Sequence, residues 1–597
     1  MPSISFKGKS IVHSYHLTVP YRQLVVDETR SLLQPGKPAS LDDNLIIHGD
    51  NLQALKALLP SFAGRVKCIY IDPPYNTGNE GWAYNDNVSH PMLQEWLRRV
   101  VDKEDLTRHD KWLCMMLPRL KLLLEFLRED GVIFVSIDDN EAHQLRMLMD
   151  EICGEENFIA QLVWEKGRKN DAKFFSVGHE YMLCYARSLE MLRSLRTVWR
   201  EPKPGAREIW NEYLRLRAVN GEDNSKIGES LREWYQSLPT GHPSKALSRY
   251  KHVDKNGPWR DRDISWPGGG GPRYDVLHPV TGLPCKVPER GWGFATSTAM
   301  QEQIRLELVE FREDHTEPPF RKAHLRPVAE ELDENGMDAS EGETDAEGDV
   351  EVGMQVMPSV IYKQSQVAVK FLRDLMGGKV FDNPKDHEVL ARIIRYITTP
   401  DSGDIILDSF AGSGTTAHAV LALNAEDGGN RRFILIEQED YADKVTAARV
   451  RRVIRGVPGT KDEKLRQGFD DSFTFLELGT TFDEETLFQG GLPSYRDMAR
   501  FVFITATGEK LDESQIDETR CYLGESAHYS VYLIYKPDIE YLKSTPLNLT
   551  FAKALPPKTT KTRLVIASHK YLDEDRMLDY RVEFCQLPWG IYRHRAK

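Results

Sequence analysis

Two stretches of this chain, far apart in sequence, alternate short β-branched and aliphatic runs with helically spaced segments, and neither holds enough strands for a sheet of its own. In the first, Leu45–Ile47, Val66–Ile71 and Val132–Ile137 read as strands, Leu52–Leu59 and Leu113–Leu127 have helical spacing, and Glu180–Tyr185 is a further strand candidate. In the second, Ile405–Leu407 leads through a glycine-rich turn into a helical run from Thr415 to Leu423 and a strand at Phe433–Ile436. Strands alternating with helices make parallel βαβ units. The two stretches are therefore expected to complete one doubly wound, Rossmann-like α/β sheet, with the segment between them inserted as a separate lobe. This reading gives a core half over 1–164, an insertion over 165–356, a second core half over 357–470 and a small C-terminal α/β domain over 471–597.

The insertion has little hydrophobic periodicity and is rich in Trp, Arg, Pro and Gly, as in Gly257-Pro258-Trp259-Arg260 and the run Gly268 to Gly271. The C-terminal part has strand candidates at Val502–Ile504, Tyr529–Tyr535, Leu564–Ile566 and Tyr580–Phe584, and no motif that names a chemistry.

The formal charge of −13 looks wrong for a nucleic-acid binder until its distribution is considered. Residues 330–351 carry 11 acids and no base, the composition of a disordered loop. Lys166 to Arg326 holds 28 basic against 21 acidic residues. The acidity is thus largely one loop, and the middle of the chain is mildly basic, which permits DNA binding and equally suits a solvated surface. No apolar run is long enough to span a bilayer, and the first thirty residues lack a signal peptide's pattern. The seven scattered cysteines favour reduced thiols over zinc ligands or disulfides, so a soluble cytoplasmic protein without a membrane partner or a metal is expected.

Directly after Val66–Ile71 comes Asp72-Pro73-Pro74-Tyr75. Consecutive prolines fix φ, hold the backbone extended and remove two N–H groups. The turn then presents carbonyls, a carboxylate and an aromatic ring at the C-terminal edge of a parallel strand, where doubly wound sheets bind ligands. An aromatic amine is a poor nucleophile because its lone pair is delocalised into the ring. Hydrogen bonds from its two hydrogens to the Asp72 carboxylate and the Pro73 carbonyl would pull the nitrogen towards tetrahedral geometry, with Tyr75 stacked on the base. The plain alternative is a strand-ending turn of chance composition.

The second motif runs Asp408-Ser409-Phe410-Ala411-Gly412-Ser413-Gly414-Thr415-Thr416, between a strand and a helix. Its glycines let the backbone approach a ligand, and the helix N-terminus favours a carboxylate such as that of a methionine moiety. Glu437, at the tip of the following strand, stands where a ribose hydroxyl acceptor is expected. A Gly-x-Gly turn alone is equally an ordinary tight turn. A dinucleotide would also fit, but the third glycine of its fingerprint is replaced by Ala417; a P-loop is excluded because no Lys-Ser/Thr follows the glycines.

Together the motifs resemble the amino-methyltransferases that act on DNA, in the permuted order of the β class, with the cofactor motif after the catalytic one. Ile71 to Asn79 followed by Trp82, Tyr84, Asn85 and Asp86 resembles the modification subunit of type III restriction–modification systems. So do His48 to Leu52, Asp130 to Asp139, His179-Glu180-Tyr181, Pro258-Trp259-Arg260, Arg290-Gly291-Trp292 and Phe381-Asp382-Asn383-Pro384-Lys385. The resemblance covers about Leu41 to Gln438, excludes the acidic loop and implies S-adenosylmethionine as cofactor. It implies that Asp72, Pro73, Pro74 and Tyr75 hold and activate a flipped adenine. Asp408, Phe410, Gly412, Gly414 and Thr415 would line the cofactor, with Glu437 on its ribose, Asp50 near its adenine, and Phe381 and Lys385 at its methionine end. A helix N-cap and a solvated lysine are the plain readings of Asp50 and Lys385. The implied partners are double-stranded DNA, a second copy of the chain, and a separate nuclease–translocase subunit.

The leading expectation is thus a sequence-specific adenine-N6 methyltransferase that flips its target base, with the insertion reading the DNA sequence. Asp at position 72 favours adenine over cytosine in family terms. Methylation of cytosine N4, RNA or a glutamine amide, and a non-catalytic DNA-specificity subunit, are the other readings.

Overall fold

The computed structural model describes residues 3–77, 108–167, 174–326, 328, 352–460, 462–481, 492–507, 509, 511–556 and 561–587. Trp82, Tyr84, Asn85, Asp86 and the acidic loop lie outside them.

The chain divides into two compact units, 1–197 with 358–597, and 198–357. A ten-stranded sheet dominates the first. Its strands in chain order are β1 (Arg22–Val26), β2 (Leu45–His48), β3 (Val66–Ile71), β4 (Leu127–Ile137), β5 (Phe158–Glu165), β6 (His179–Ala186), β7 (Val360–Tyr362), β8 (Ile405–Asp408), β9 (Arg432–Glu437) and β10 (Thr474–Thr481). They lie side by side as β1-β10-β2-β9-β8-β3-β4-β6-β5-β7. From β10 to β4 the pairing is parallel, and β3 and β8 are buried along their whole length, as strands covered on both faces must be.

The helices that matter below are α1 (Asn51–Phe62), α2 (Arg108–Phe126), α3 (His387–Ile397), α4 (Thr415–Asp427), α5 (Ala448–Arg455) and α6 (Tyr495–Thr507). Chain order runs outward in one direction from β3 to β4 and in the other from β8 to β9. The order therefore reverses between β3 and β8, whose C-terminal tips carry Asp72 and Asp408 on adjoining strands. A crevice at such a reversal is where open parallel sheets take ligands. Two distant parts of the chain meet there because each supplies one side of the same core, Ile69 and Ile71 from one and Ile405 and Leu407 from the other.

Three expectations need correcting. The stretch after residue 164 is still sheet: β6 pairs antiparallel with both β4 and β5, and the second unit starts at Val198. The stretch after 471 does not begin a separate domain, because β10 pairs with β2 inside the large sheet. The run Val502–Ile504 lies in α6 and not in a strand. Its aromatic and β-branched residues belong to a buried helix face, and a short apolar run cannot distinguish the two by periodicity.

A four-stranded sheet follows α6: Tyr522–Glu525, Tyr529–Leu533, Thr562–Ala567 and Val582–Gln586, the last three parallel. α6 joins it to the rest of its unit, with Tyr21 packing edge-on to Phe501 at 4.6 Å between ring centroids. The second unit has its own antiparallel sheet, with Phe320–His324 and Gly257–Arg262 at its centre, and two small cores around Tyr213 and Trp292. Among the described residues no helix is long and apolar enough to cross a membrane, and no cluster of His, Cys, Asp and Glu has metal-site geometry.

Candidate active site

The turn after β3 is held from below by three side chains. Trp112 of α2 donates its indole N–H to the Pro74 carbonyl at 2.7 Å. Asn76, at a positive φ of 58°, donates to the buried Glu141 carboxylate, which His109 also engages at 2.7 Å. Asparagine tolerates this left-handed backbone better than most residues. Among the described residues nothing donates to Asp72 Oδ2 or to the Pro73 carbonyl.

Asp72 Oδ1 is engaged on the other side. Tyr75 donates its hydroxyl to it at 2.8 Å and Lys385 Nζ lies 2.9 Å away. The Lys385 ammonium also reaches the Tyr75 oxygen at 2.6 Å and Glu180 Oε1 at 3.0 Å, while Lys166 pairs with Glu180 Oε2. Two cations and two carboxylates thus share one largely buried cluster. Although burial opposes it, the Lys385 ammonium is held above its ordinary range by Asp72 and Glu180. Glu180 is pulled below the usual carboxylate range by Lys385 and Lys166, again against burial. Lys166, with Lys385 as a like-charged neighbour, is pushed down by burial first. Burial and the adjacent carboxylates raise the Tyr75 phenol well above its ordinary value, so the ring stays neutral.

Across the reversal point, Asp408 accepts from Phe410 N at 3.0 Å and from the Thr416 hydroxyl at 2.5 Å, fixing the glycine turn to the strand tip. Gly412 has φ 52°, and a side chain there would start 3.3 Å from the Phe381 ring. Gly414 has φ 76° and faces the Thr446 carbonyl. Glu437, at the tip of β9, accepts from Gly412 N at 2.7 Å and Glu439 N at 3.0 Å. Burial pushes both acids up to about 7, because their donors, the Thr416 hydroxyl and Phe410 N for Asp408 and two backbone N–H groups for Glu437, only partly offset desolvation. Phe381 meets Tyr441 edge-on at 5.7 Å between centroids.

The structure brings Asp72, Tyr75 and Lys385 together in one cluster, and Asp408, Phe410, Gly412, Phe381 and Glu437 in another beside it. Lys385, expected beside the cofactor's methionine end, has its ammonium on the Asp72 turn, while its carbonyl lies 3.4 Å from the Thr415 hydroxyl. Asp50 caps α1 by accepting from Gln53 N at 3.0 Å, and its other oxygen pairs with Arg119 at 3.1 Å. Arg119 also holds Asn51, whose amide donates to the Ser409 carbonyl, so this ion pair ties α1 to the tip of β8. Reading the residues alone missed Glu180 as a member of the site, together with Lys166, Trp112, Glu141 and Arg119. Only the His179-Glu180-Tyr181 motif carried a signal.

A parallel sheet with an acid-Pro-Pro-Tyr turn and a glycine turn on adjoining strand tips defines a methyltransferase. The profile of the DNA methylase family matches residues 66–447, and the chain belongs to that family. It is 32% identical over 522 residues to the Type III restriction-modification enzyme EcoP15I Mod subunit of Escherichia coli, covering 81% of this chain and 75% of the relative. The EcoPI Mod subunit of Escherichia phage P1 is 28% identical over 81% of this chain and 74% of its own length. The Type II methyltransferase M.KpnI of Klebsiella pneumoniae is 28% identical over 71% of this chain and 86% of its own length.

Proposed function

We propose that this chain methylates the N6 amino group of adenine in double-stranded DNA with S-adenosylmethionine, as the modification subunit of a type III restriction–modification system. The observation that carries the reading is the Asp72 turn, one strand from the glycine turn, whose Asp72 Oδ2 and Pro73 carbonyl have no donor among the described residues.

The residues present fit that cofactor. The positive φ at Gly412 and Gly414 and the closeness of Phe381 to Gly412 leave a cradle that a side chain would fill. Glu437, buried and raised to about 7 by desolvation, stands at the strand tip with both oxygens on backbone N–H groups, and ribose hydroxyls would add further donors to it. Phe381 and Tyr441 offer aromatic surface beside the turn. When bound, the cofactor supplies an electrophilic methyl group.

On the substrate side, Asp72 Oδ2 accepts one hydrogen of the amine and the Pro73 carbonyl accepts the other. This draws the lone pair out of the ring and aims it at the neighbouring strand tip. Tyr75, kept neutral and clamped by Asp72, Glu180 and Lys385, is the stacking surface. After transfer the amine carries one proton too many, and Asp72 Oδ2 is the acceptor placed to receive it. Lys385 and Tyr75 hold Oδ1, and Glu180 in turn holds Lys385, so that the carboxylate does not rotate away.

Adenine is favoured by the acidic first residue of the turn and by the relatives described as type III enzymes. Their description as subunits supports a separate restriction partner, and the family resemblance supports a second copy of this chain. The basic segment within 166–326 supports the insertion as the part that reads DNA, through phosphate contacts that set register and base contacts that specify. Transfer of tritium from labelled cofactor to plasmid DNA, and not to RNA or protein, is the direct test.

A further inference from the structure

Behind the glycine turn lies an arginine that the chemistry above does not use. Arg449, near the start of α5, is 1% exposed. One of its terminal nitrogens donates to Thr415 Oγ1 at 2.8 Å, to Ser413 Oγ at 3.0 Å and to the Ser413 carbonyl at 3.4 Å. The other faces His418 Nδ1 at 3.3 Å, and Nε has no partner among the described residues. None of these partners carries a negative charge. The carboxylate whose field reaches it is Asp386, which caps α3 through the Glu388 and Val389 N–H groups. The stacked rings of His387 and His418, 4.2 Å apart, do not neutralise it either. Burial holds both imidazoles neutral, His387 down to about 4.

A buried cation without a bonded carboxylate is costly, because water is removed and neutral acceptors replace it only in part. Burial accordingly lowers the Arg449 guanidinium to about 9. The geometry shows where the charge is delivered. By donating to the hydroxyl oxygens of Ser413 and Thr415, Arg449 turns their protons away from itself. Those protons find only long contacts, 3.2 Å between the two hydroxyls and 3.4 Å to the Lys385 carbonyl. Both hydroxyls stand at the start of α4, a 13-residue helix whose first N–H groups have no acceptor within the helix. Buried charge, polarised hydroxyls and helix N-terminus all favour an anion at one place.

We propose that Arg449 is a positioning residue for the amino-acid carboxylate of the methyl donor, acting through Ser413 and Thr415 without touching the ligand. The proposal rests on the cofactor reading above. It predicts that Arg449 matters only for ligands that carry the carboxylate.

Calorimetric binding of S-adenosylhomocysteine and of 5′-methylthioadenosine, which shares the adenosine and thioether but ends in a methyl group, separates the two. In Arg449→Met the first should weaken at least about tenfold and the second less than about twofold, with Arg449→Lys recovering most of the loss. Thr415→Val, nearly isosteric, should shift the same ratio in the same direction and serves as the reading if Arg449→Met does not fold. Equal losses for both ligands, or none for either, would overturn the proposal. A wild-type chain that binds neither ligand would instead overturn the cofactor reading on which it stands.

Discussion

Lys385 Nζ and Asp72 Oδ1 are 2.9 Å apart although the whole inserted unit separates them in sequence. The first residue of the Asp72-Pro73-Pro74-Tyr75 turn is therefore held by a residue from the other half of the core. Replacing Asp72 with alanine removes the amine acceptor and leaves the glycine turn untouched. Turnover should fall by about 100-fold or more, the range for a positioned proton acceptor, while cofactor affinity stays within about threefold. Single-turnover methylation and equilibrium binding check the two halves; a mutant within a few-fold of wild type would remove Asp72 from the mechanism.

Glu180 balances two lysines at 4% side-chain exposure. In Glu180→Gln the shape is kept, but Lys166 loses its carboxylate and Lys385 keeps only Asp72. Folding should be destabilised by about 3 kcal/mol, as for a buried pair with one partner removed, and turnover should drop about tenfold with unchanged cofactor affinity. Denaturant unfolding beside kinetics tests this, and a fully active, fully stable variant contradicts the clamp.

At Gly412 a leucine would both occupy the cradle and force a side chain into left-handed backbone, costing about 1–2 kcal/mol. The chain should still fold, since the turn lies at the edge of the sheet, but it should no longer bind the cofactor. Calorimetry that finds wild-type affinity in Gly412→Leu would show that the ligand lies elsewhere.

Glu437 yields a pH prediction with a definite sign. Its folded pKa, about 7, lies above the ordinary carboxylate value, so between about pH 4.5 and 7 the folded chain binds more protons than the unfolded one. The stability from this group is complete below that window and is lost as pH rises through 7; buried Asp408 adds to the same slope. Ligand-free Glu437→Gln should therefore be more stable than wild type at pH 8, by about 1–3 kcal/mol. Hydroxyl donors favour the ionised form, so wild-type cofactor affinity should rise from pH 6 to pH 8, and the rise should be much smaller in the variant. Thermal melts and binding at the two pH values measure both; a slope of the opposite sign refutes the assignment.

Much of this site could be read from residue types alone, because strand tips in a parallel sheet carry chemistry and the turns there use Pro and Gly for backbone reasons. Asp72, Tyr75, Gly412 and Glu437 all stand at such tips or in their turns. The rest depended on contacts that no local pattern encodes. Glu180, Lys166 and Arg449 look like solvated charges in the sequence and become buried only when distant segments pack over them. The strand at Glu180–Tyr185 was legible as a strand, but a parallel βαβ reading gives an antiparallel strand no place in the sheet, so the boundary falls before it at 164. The strand expected at Val502 turned out to be one face of α6, for want of any period in three residues.

The Asp72 turn is proposed to methylate adenine N6 in DNA. Methylation-aware sequencing of DNA from cells expressing the wild-type chain or Asp72→Ala tests it most directly. N6-methyladenine at one recurrent sequence is expected in the first sample and none in the second. N4-methylcytosine, or the same mark with Asp72 removed, would contradict it.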